Sequence, residues 1–154
     1  MKIYTASSWK NPYYREVVEF LREHGHDVYD FQNTVSTRGR QFAFNWDQID
    51  PYWEDWEIHE FFQALHHELS VNAFQSDYKG MIESDVCVLI LPSGKSSHVE
   101  AGFMKGMGRK LIIYMQDRDR PELTYSIADA IVSELPALEF ELTRIRESLP
   151  GRNP

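Results

Sequence analysis

The chain has a single cysteine, Cys87, in 154 residues. One thiol excludes an internal disulfide framework and any thiolate-rich metal cluster. Its place in the apolar run Val86-Cys87-Val88-Leu89-Ile90-Leu91 reads as core packing in a reducing compartment. Histidine is sparse too. His59, His66 and His67 share one predicted helix but show no HExxH spacing, so neither a metal site nor a cofactor is expected. Positive charge is in deficit, with 16 Lys and Arg against 24 Asp and Glu and a net charge of −8. That balance cannot build a broad basic face and excludes a nucleic acid polymer as partner. No apolar run approaches the ~20 residues of a membrane-spanning helix, so no membrane partner is expected. Met1-Lys2 leads straight into a β-prone segment, which predicts no signal peptide and a cytoplasmic location.

What is present is ordinary for a globular domain: 42% hydrophobic and 26% charged residues. Ile3 to Ala6 reads as a first strand. Val17, Val18, Phe20 and Leu21 have helical spacing, and His24-Gly25 marks the stop. His26 to Phe31 alternates as a second strand. Two helices are expected over Trp56 to Leu69 and Ala73 to Ile82. Val86 to Leu91 is the central strand, by its unbroken apolar run. Val99 to Met107 reads as helix, Leu111 to Met115 as strand, and Gln116 to Pro121 as a charged loop. A helical turn over Leu123 to Ala128, a short strand over Ala130 to Val132 and a helix capped by Ser133 and running to about Glu147 complete the pattern. The alternation predicts one α/β domain over 1–149, with a tail over 150–154. Its fold is a doubly wound, flavodoxin- or Rossmann-like parallel sheet of about five strands flanked by helices.

One stretch resists this reading. Asn33 to Arg40 is polar and loop-like. Phe42, Phe44, Trp46, Ile49, Tyr52 and Trp53 then crowd around Pro51. Such aromatic content argues against disorder. It is either a satellite core or a wall on which a planar ring stacks, and Trp46 is the candidate ligand contact.

The chemistry concentrates after the central strand, in Leu91-Pro92-Ser93-Gly94-Lys95-Ser96-Ser97-His98-Val99-Glu100-Ala101-Gly102. Strand, Ser/Gly turn, then helix is where open α/β sheets bind ligands, and such a turn offers N–H groups to an anion. Glu100, expected in the first turn of the helix, is either an acid favouring the macrodipole or a carboxylate that attacks something held by the loop. Asp77 is either a solvated helix acid or a site acid. Asp85, directly before the strand, reads as a cap or turn residue. Tyr4 is either core or a site group.

These pieces together resemble the nucleoside 2-deoxyribosyltransferases and their nucleotide N-glycosidase relatives. Ile3-Tyr4-Thr5-Ala6-Ser7-Ser8-Trp9 is similar to that family's first strand and turn. Asp77 followed by Asp85 is similar to its acid pair, and Glu100-Ala101-Gly102 matches its nucleophile motif. The resemblance implies that Glu100 attacks C1′ of a nucleoside or nucleotide, that Tyr4 orients Glu100, and that Asp77 contacts the base and assists its departure. It departs from the transferases at Gly94, where they carry an acid for sugar hydroxyls. Ser93, Gly94, Ser96 and Ser97, with Ser7, look more like the phosphate-holding loops of the 5′-monophosphate glycosidases, which favours hydrolysis over base transfer. A non-catalytic nucleotide sensor and an enzyme cleaving NAD or a signal nucleotide are the competing readings. Gly102 and Gly106, four apart, leave one helix face bare, and a homodimer or higher homo-oligomer is expected.

Overall fold

The computed structural model describes residues 1–35 and 41–149. Residues 36–40 of the polar segment and the tail at 150–154 lie outside the described residues. In chain order the elements are β1 (Lys2–Ala6), α1 (Tyr14–Glu23), β2 (Asp27–Tyr29), β3 (Thr34–Val35), β4 (Gln41–Phe42), α2 (Ile58–Ala64), α3 (Glu68–Glu83), β5 (Val86–Ile90), α4 (Lys95–Gly106), β6 (Lys110–Tyr114), β7 (Ala130–Val132) and α5 (Leu135–Ser148). Contacts divide the chain into two compact units, one of Met1–Tyr29 with the chain from Met81 onward, the other of Asp30–Gly80. No composition shift or linker in the sequence marks either boundary.

The first unit holds a five-stranded parallel sheet in the order β2-β1-β5-β6-β7. Every residue of β5 is buried, as a strand covered on both faces requires. Alternate side chains sort to opposite faces. Tyr4, Ala6, Cys87, Leu89, Leu91, Leu111 and Ile113 join Ala101 and Met104 of α4 in one core cluster. The other face is covered by α1 and α5. On α1, Tyr14, Val17, Val18 and Leu21 recur at the i, i+3, i+4, i+7 spacing and are buried. On α5, Leu138, Leu142 and Ile145 do the same. Each such side chain contributes about 2 kcal/mol through removal from water. Gly25, at φ 78°, takes the left-handed conformation that ends α1.

Several elements differ from expectation. β2 stops at Tyr29 because Asp30 turns the chain: its carboxylate accepts from the Gln32 N–H at 3.1 Å and from Asn33 Nδ2 at 2.8 Å. The helix expected over Trp56 to Leu69 is broken. A 3₁₀ turn at Trp53–Asp55 precedes α2, which stops at Ala64, and α3 begins at Glu68. Glu60 of α2 reaches back to the Glu57 N–H at 2.7 Å, one half of a capping box. The cap of α5 is Glu134, not Ser133, and Pro136 sits in the first turn, where its missing N–H costs nothing. Most consequential, α4 starts at Lys95 rather than Val99. Ser96, Ser97 and His98 are helical residues, and Glu100 stands in the second turn.

The second unit contains the antiparallel pair β3–β4, short 3₁₀ turns, α2 and the greater part of α3. Trp46 meets Phe44, Trp56 and Phe61 edge-on, at centroid distances of 4.9, 5.8 and 6.1 Å. Asp50 accepts from the Tyr52 N–H at 2.9 Å and from Trp56 Nε1 at 2.7 Å, and these bonds, the first above all, hold its carboxyl below the usual range.

Candidate active site

In the strand order of this sheet the chain reverses direction between β1 and β5. Ligands of open α/β folds sit at that reversal, beyond the carboxyl ends of the strands. The segments leaving those two ends are Ser7 to Tyr13 after β1, and Leu91 to Gly94 after β5. A dense set of hydrogen bonds ties them together. Ser7 Oγ donates to the Ile90 carbonyl at 2.9 Å. The Asn11 amide nitrogen lies 2.9 Å from Ser7 Oγ, 2.9 Å from the Ile90 carbonyl and 3.0 Å from the Pro92 carbonyl. Asn11 Oδ1 accepts from the Tyr13 N–H at 2.7 Å. From the helix side, Ser97 Oγ donates to the Ser7 carbonyl at 2.8 Å.

The start of α4 is built in an unusual way. Its N-cap is Gly94, which has no side chain to accept from the first-turn N–H groups, and the first turn contains no acid. Beside it, Ser93 Oγ is buried with no hydrogen-bond partner among the described residues. Ser96 and Lys95 are exposed. The uncapped N–H groups carry the positive end of the helix dipole. His98 braces this end. Its Nδ1 donates to the Gly94 carbonyl at 2.8 Å, so Nε2 is left to accept from the Tyr125 hydroxyl at 3.0 Å. Desolvation, then the charges of Asp119 and Glu122, push the Tyr125 hydroxyl above its ordinary range, which keeps it a donor. Tyr13 donates to Asp117, joining the loop after β1 to the loop after β6.

Glu100 is half-buried, between the exposed Val99 and the buried Ala101. Its charge is felt inside the sheet: the Cys87 thiol is pushed far up, first by burial and then by Glu100. Cys87 is the cross-strand partner of Tyr4. Tyr4 is 1% exposed and stacks on Tyr29 at 5.1 Å and 10°. Glu100, Ser93, Gly94, Ser96, Ser97, Ser7 and Tyr4 thus all belong to the first unit, at or beneath the β1–β5 seam.

The remaining expected residues fall elsewhere. Asp77, on α3, and Trp46 belong to the second unit. Asp85 lies at the opposite end of the sheet, where its carboxylate accepts from the Lys2 N–H at 2.9 Å and its own N–H bonds the Lys2 carbonyl at 2.8 Å. Five residues of strand, about 16 Å, separate it from the carboxyl edge. The side chains of Ser7 and Ser97 donate to backbone carbonyls and hold the turn in place. Asn11, His98 and Tyr125 were not anticipated. Asn11-Pro12 is a turn-initiating pair, which is a visible signal, whereas nothing local links His98 to Tyr125. Among the described residues no group of three or more His, Cys, Asp or Glu could hold a metal ion.

No family model and no curated protein matches the chain. Solved structures do. A 2-deoxyribosyltransferase from the psychrotolerant bacterium Bacillus psychrosaccharolyticus shares the fold with a TM-score of 0.65 and 16% identity, over 90% of each chain. The CMP N-glycosidase of Clostridium botulinum superposes with a TM-score of 0.50 and 14% identity, over 93% of this chain and 99% of that one. The two neighbours are drawn from the two groups that the sequence motifs resemble. At these identities the likeness establishes the fold.

Proposed function

We propose that this chain cleaves the N-glycosidic bond of a nucleoside 5′-monophosphate, with Glu100 as the nucleophile. The observation that carries the reading is the start of α4. A helix N-terminus without a side-chain cap, flanked by the unpartnered Ser93 hydroxyl, stands at the switch point of the sheet, and Glu100 follows on the same helix. Six residues of helix from Gly94 to Glu100 rise about 9 Å. A sugar phosphate can bridge that span, its phosphate on the N–H groups of Gly94 to Ser97 and its C1′ against the carboxylate. Lys95 adds a counter-charge at the rim.

In this scheme a Glu100 oxygen attacks C1′ as the bond to the base breaks through an oxocarbenium-like state. The departing base takes up a proton from solvent as a covalent glycosyl ester forms. Water then attacks C1′ and gives a proton to solvent, which releases the sugar phosphate and regenerates the Glu100 carboxylate. Tyr4 orients Glu100. Gly94 occupies the place of the acid that binds sugar hydroxyls in the transferases, which favours water over a second base as acceptor. The two solved neighbours, a deoxyribosyltransferase and a CMP N-glycosidase, support the reaction class. A second copy of the chain is proposed to pack on the exposed stripe of α4 formed by Val99, Gly102 and Gly106.

The test is a panel of nucleosides and nucleoside 5′-monophosphates, with released base measured by chromatography. Base release from a monophosphate, abolished by Glu100→Gln, is the expected result. Equal cleavage of the free nucleoside removes the phosphate role of the α4 turn. Undiminished activity in Glu100→Gln moves the nucleophile elsewhere.

A further inference from the structure

Asn11 has no role in the scheme above, yet its side chain bonds both sides of the seam. It is 8% exposed. Its amide group, with two protons, faces three acceptors, and two of these belong to the β5 side: the carbonyls of Ile90 and Pro92. Its carbonyl oxygen fixes the start of its own turn through the Tyr13 N–H. A buried side chain that donates to a backbone carbonyl across the seam holds that backbone in place: without Asn11 the Pro92 carbonyl loses this bond, whereas the Ile90 carbonyl keeps the one from Ser7 Oγ. The carbonyl of Pro92 lies directly before Ser93 and Gly94, the residues that set the direction of the first α4 N–H groups. Oriented N–H groups bind an anion well only when their geometry is held beforehand.

We infer that Asn11 is a positioning residue for the phosphate-binding turn: it clamps the Pro92 carbonyl and thereby aims Ser93, Gly94 and the first turn of α4 at the 5′-phosphate. The inference rests on the functional reading above and deepens it. Asn11 itself touches no substrate. Its influence falls on recognition of the phosphate and leaves recognition of the base and sugar unchanged.

Asn11→Asp tests this. The variant keeps the acceptor for the Tyr13 N–H and nearly the same shape, but it sets a carboxylate oxygen against the Ile90 and Pro92 carbonyls. Binding is measured by calorimetry on the Glu100→Gln background, so that no turnover intervenes, with a nucleoside 5′-monophosphate and the matching free nucleoside as probes. The expected result is a loss of about tenfold or more in affinity for the monophosphate, the factor one good hydrogen bond to a charged group supplies, and unchanged affinity for the nucleoside. In the enzyme with Glu100 intact, Asn11→Asp raises KM for the monophosphate and leaves kcat within about threefold. Should Asn11→Asp fail to fold, Asn11→Ser, which keeps one hydroxyl donor for the turn, carries the same comparison. Equal weakening of both probes, or weakening of neither, overturns the assignment to Asn11. A Glu100→Gln protein that binds no monophosphate at all overturns the functional reading itself, and the clamp with it.

Discussion

Cys87 illustrates how one residue reports on its surroundings. It is fully buried in the central strand, and burial together with the nearby Glu100 charge pushes its thiol far above the ordinary range. Thiolate is the reactive form, so Cys87 should not react with Ellman's reagent at pH 8 in the native protein and should react fully after denaturation. Fast native labelling would show that the strand opens. Asp129 makes the opposite case. Desolvation would raise its carboxyl, but hydrogen bonds from Lys105, the Leu111 N–H and Lys110 outweigh that and hold it down to about 2. A carboxyl depressed in the folded state stabilises the fold above its unfolded pKa and loses that contribution as pH falls through the folded one. The difference in stability between wild type and Asp129→Asn should therefore be present at pH 6, about 1 kcal/mol for a pair open to solvent on one side, and should vanish between pH 4 and pH 2. A difference that persists at pH 2 would assign the stabilisation to packing. Denaturant titrations across that range decide it.

At the level of elements, the start of α4 governs what the site can do. Beginning the helix at Lys95 moves Glu100 into the second turn, where the macrodipole no longer explains a carboxylate, since that effect fades within the first turn. It also converts Ser96 and Ser97 from loop residues into the first turn, so their N–H groups join the helix end that no side chain caps. Gly94 and Gly25 separate two uses of glycine. Gly94 has an ordinary φ of −87° and open space where a Cβ would stand, so Gly94→Ala should fold and lose no more than about 1 kcal/mol. Gly25 also has open space but sits at φ 78°, so Gly25→Ala should cost about 1 kcal/mol or more through backbone strain alone. Thermal melts of the two variants, run together, check the ordering. A larger loss in Gly94→Ala would mean that the turn tolerates no side chain for a reason other than its backbone.

For the whole molecule, the parallel sheet with helices on both faces is satisfied by its own core, but one stripe of α4 is not. Val99 is 71% exposed, and Gly102 and Gly106 leave the helix surface beside it open. If that stripe is a two-fold interface, sedimentation at micromolar concentration should show a dimer, and Val99→Asp, which places a charge and its symmetry mate at the centre, should yield a monomer with an unchanged melting curve at low concentration. A wild-type monomer that releases base would remove the dimer from the mechanism.

Periodicity alone determined most of the architecture. The unbroken apolar run of β5, the spacing of Tyr14, Val17, Val18 and Leu21, and the alternation of strands with helices need only local sequence, because burial on two faces or on one leaves a pattern along the chain. That a strand, a turn and a helix follow one another from Val86 to Gly106 was legible for the same reason: the three are contiguous. Boundaries set by competition were not. Whether Val99 or Lys95 opens α4, whether residues 56 to 69 form one helix or two pieces, and where β2 ends depend on side-chain bonds such as those of Asp30 and on packing that propensity does not carry. Asn11 is the clearest limit. Its sequence neighbours marked a turn, but its partners across the seam are 79 and 81 residues away, at the end of β5 and just beyond it, where only the sheet order brings them beside it. The motif behind the proposed chemistry, Glu100-Ala101-Gly102, is contiguous in the sequence. The frame around it exists only once β1 and β5 pair, because parallel pairing is what places the two loop ends at the same edge of the sheet.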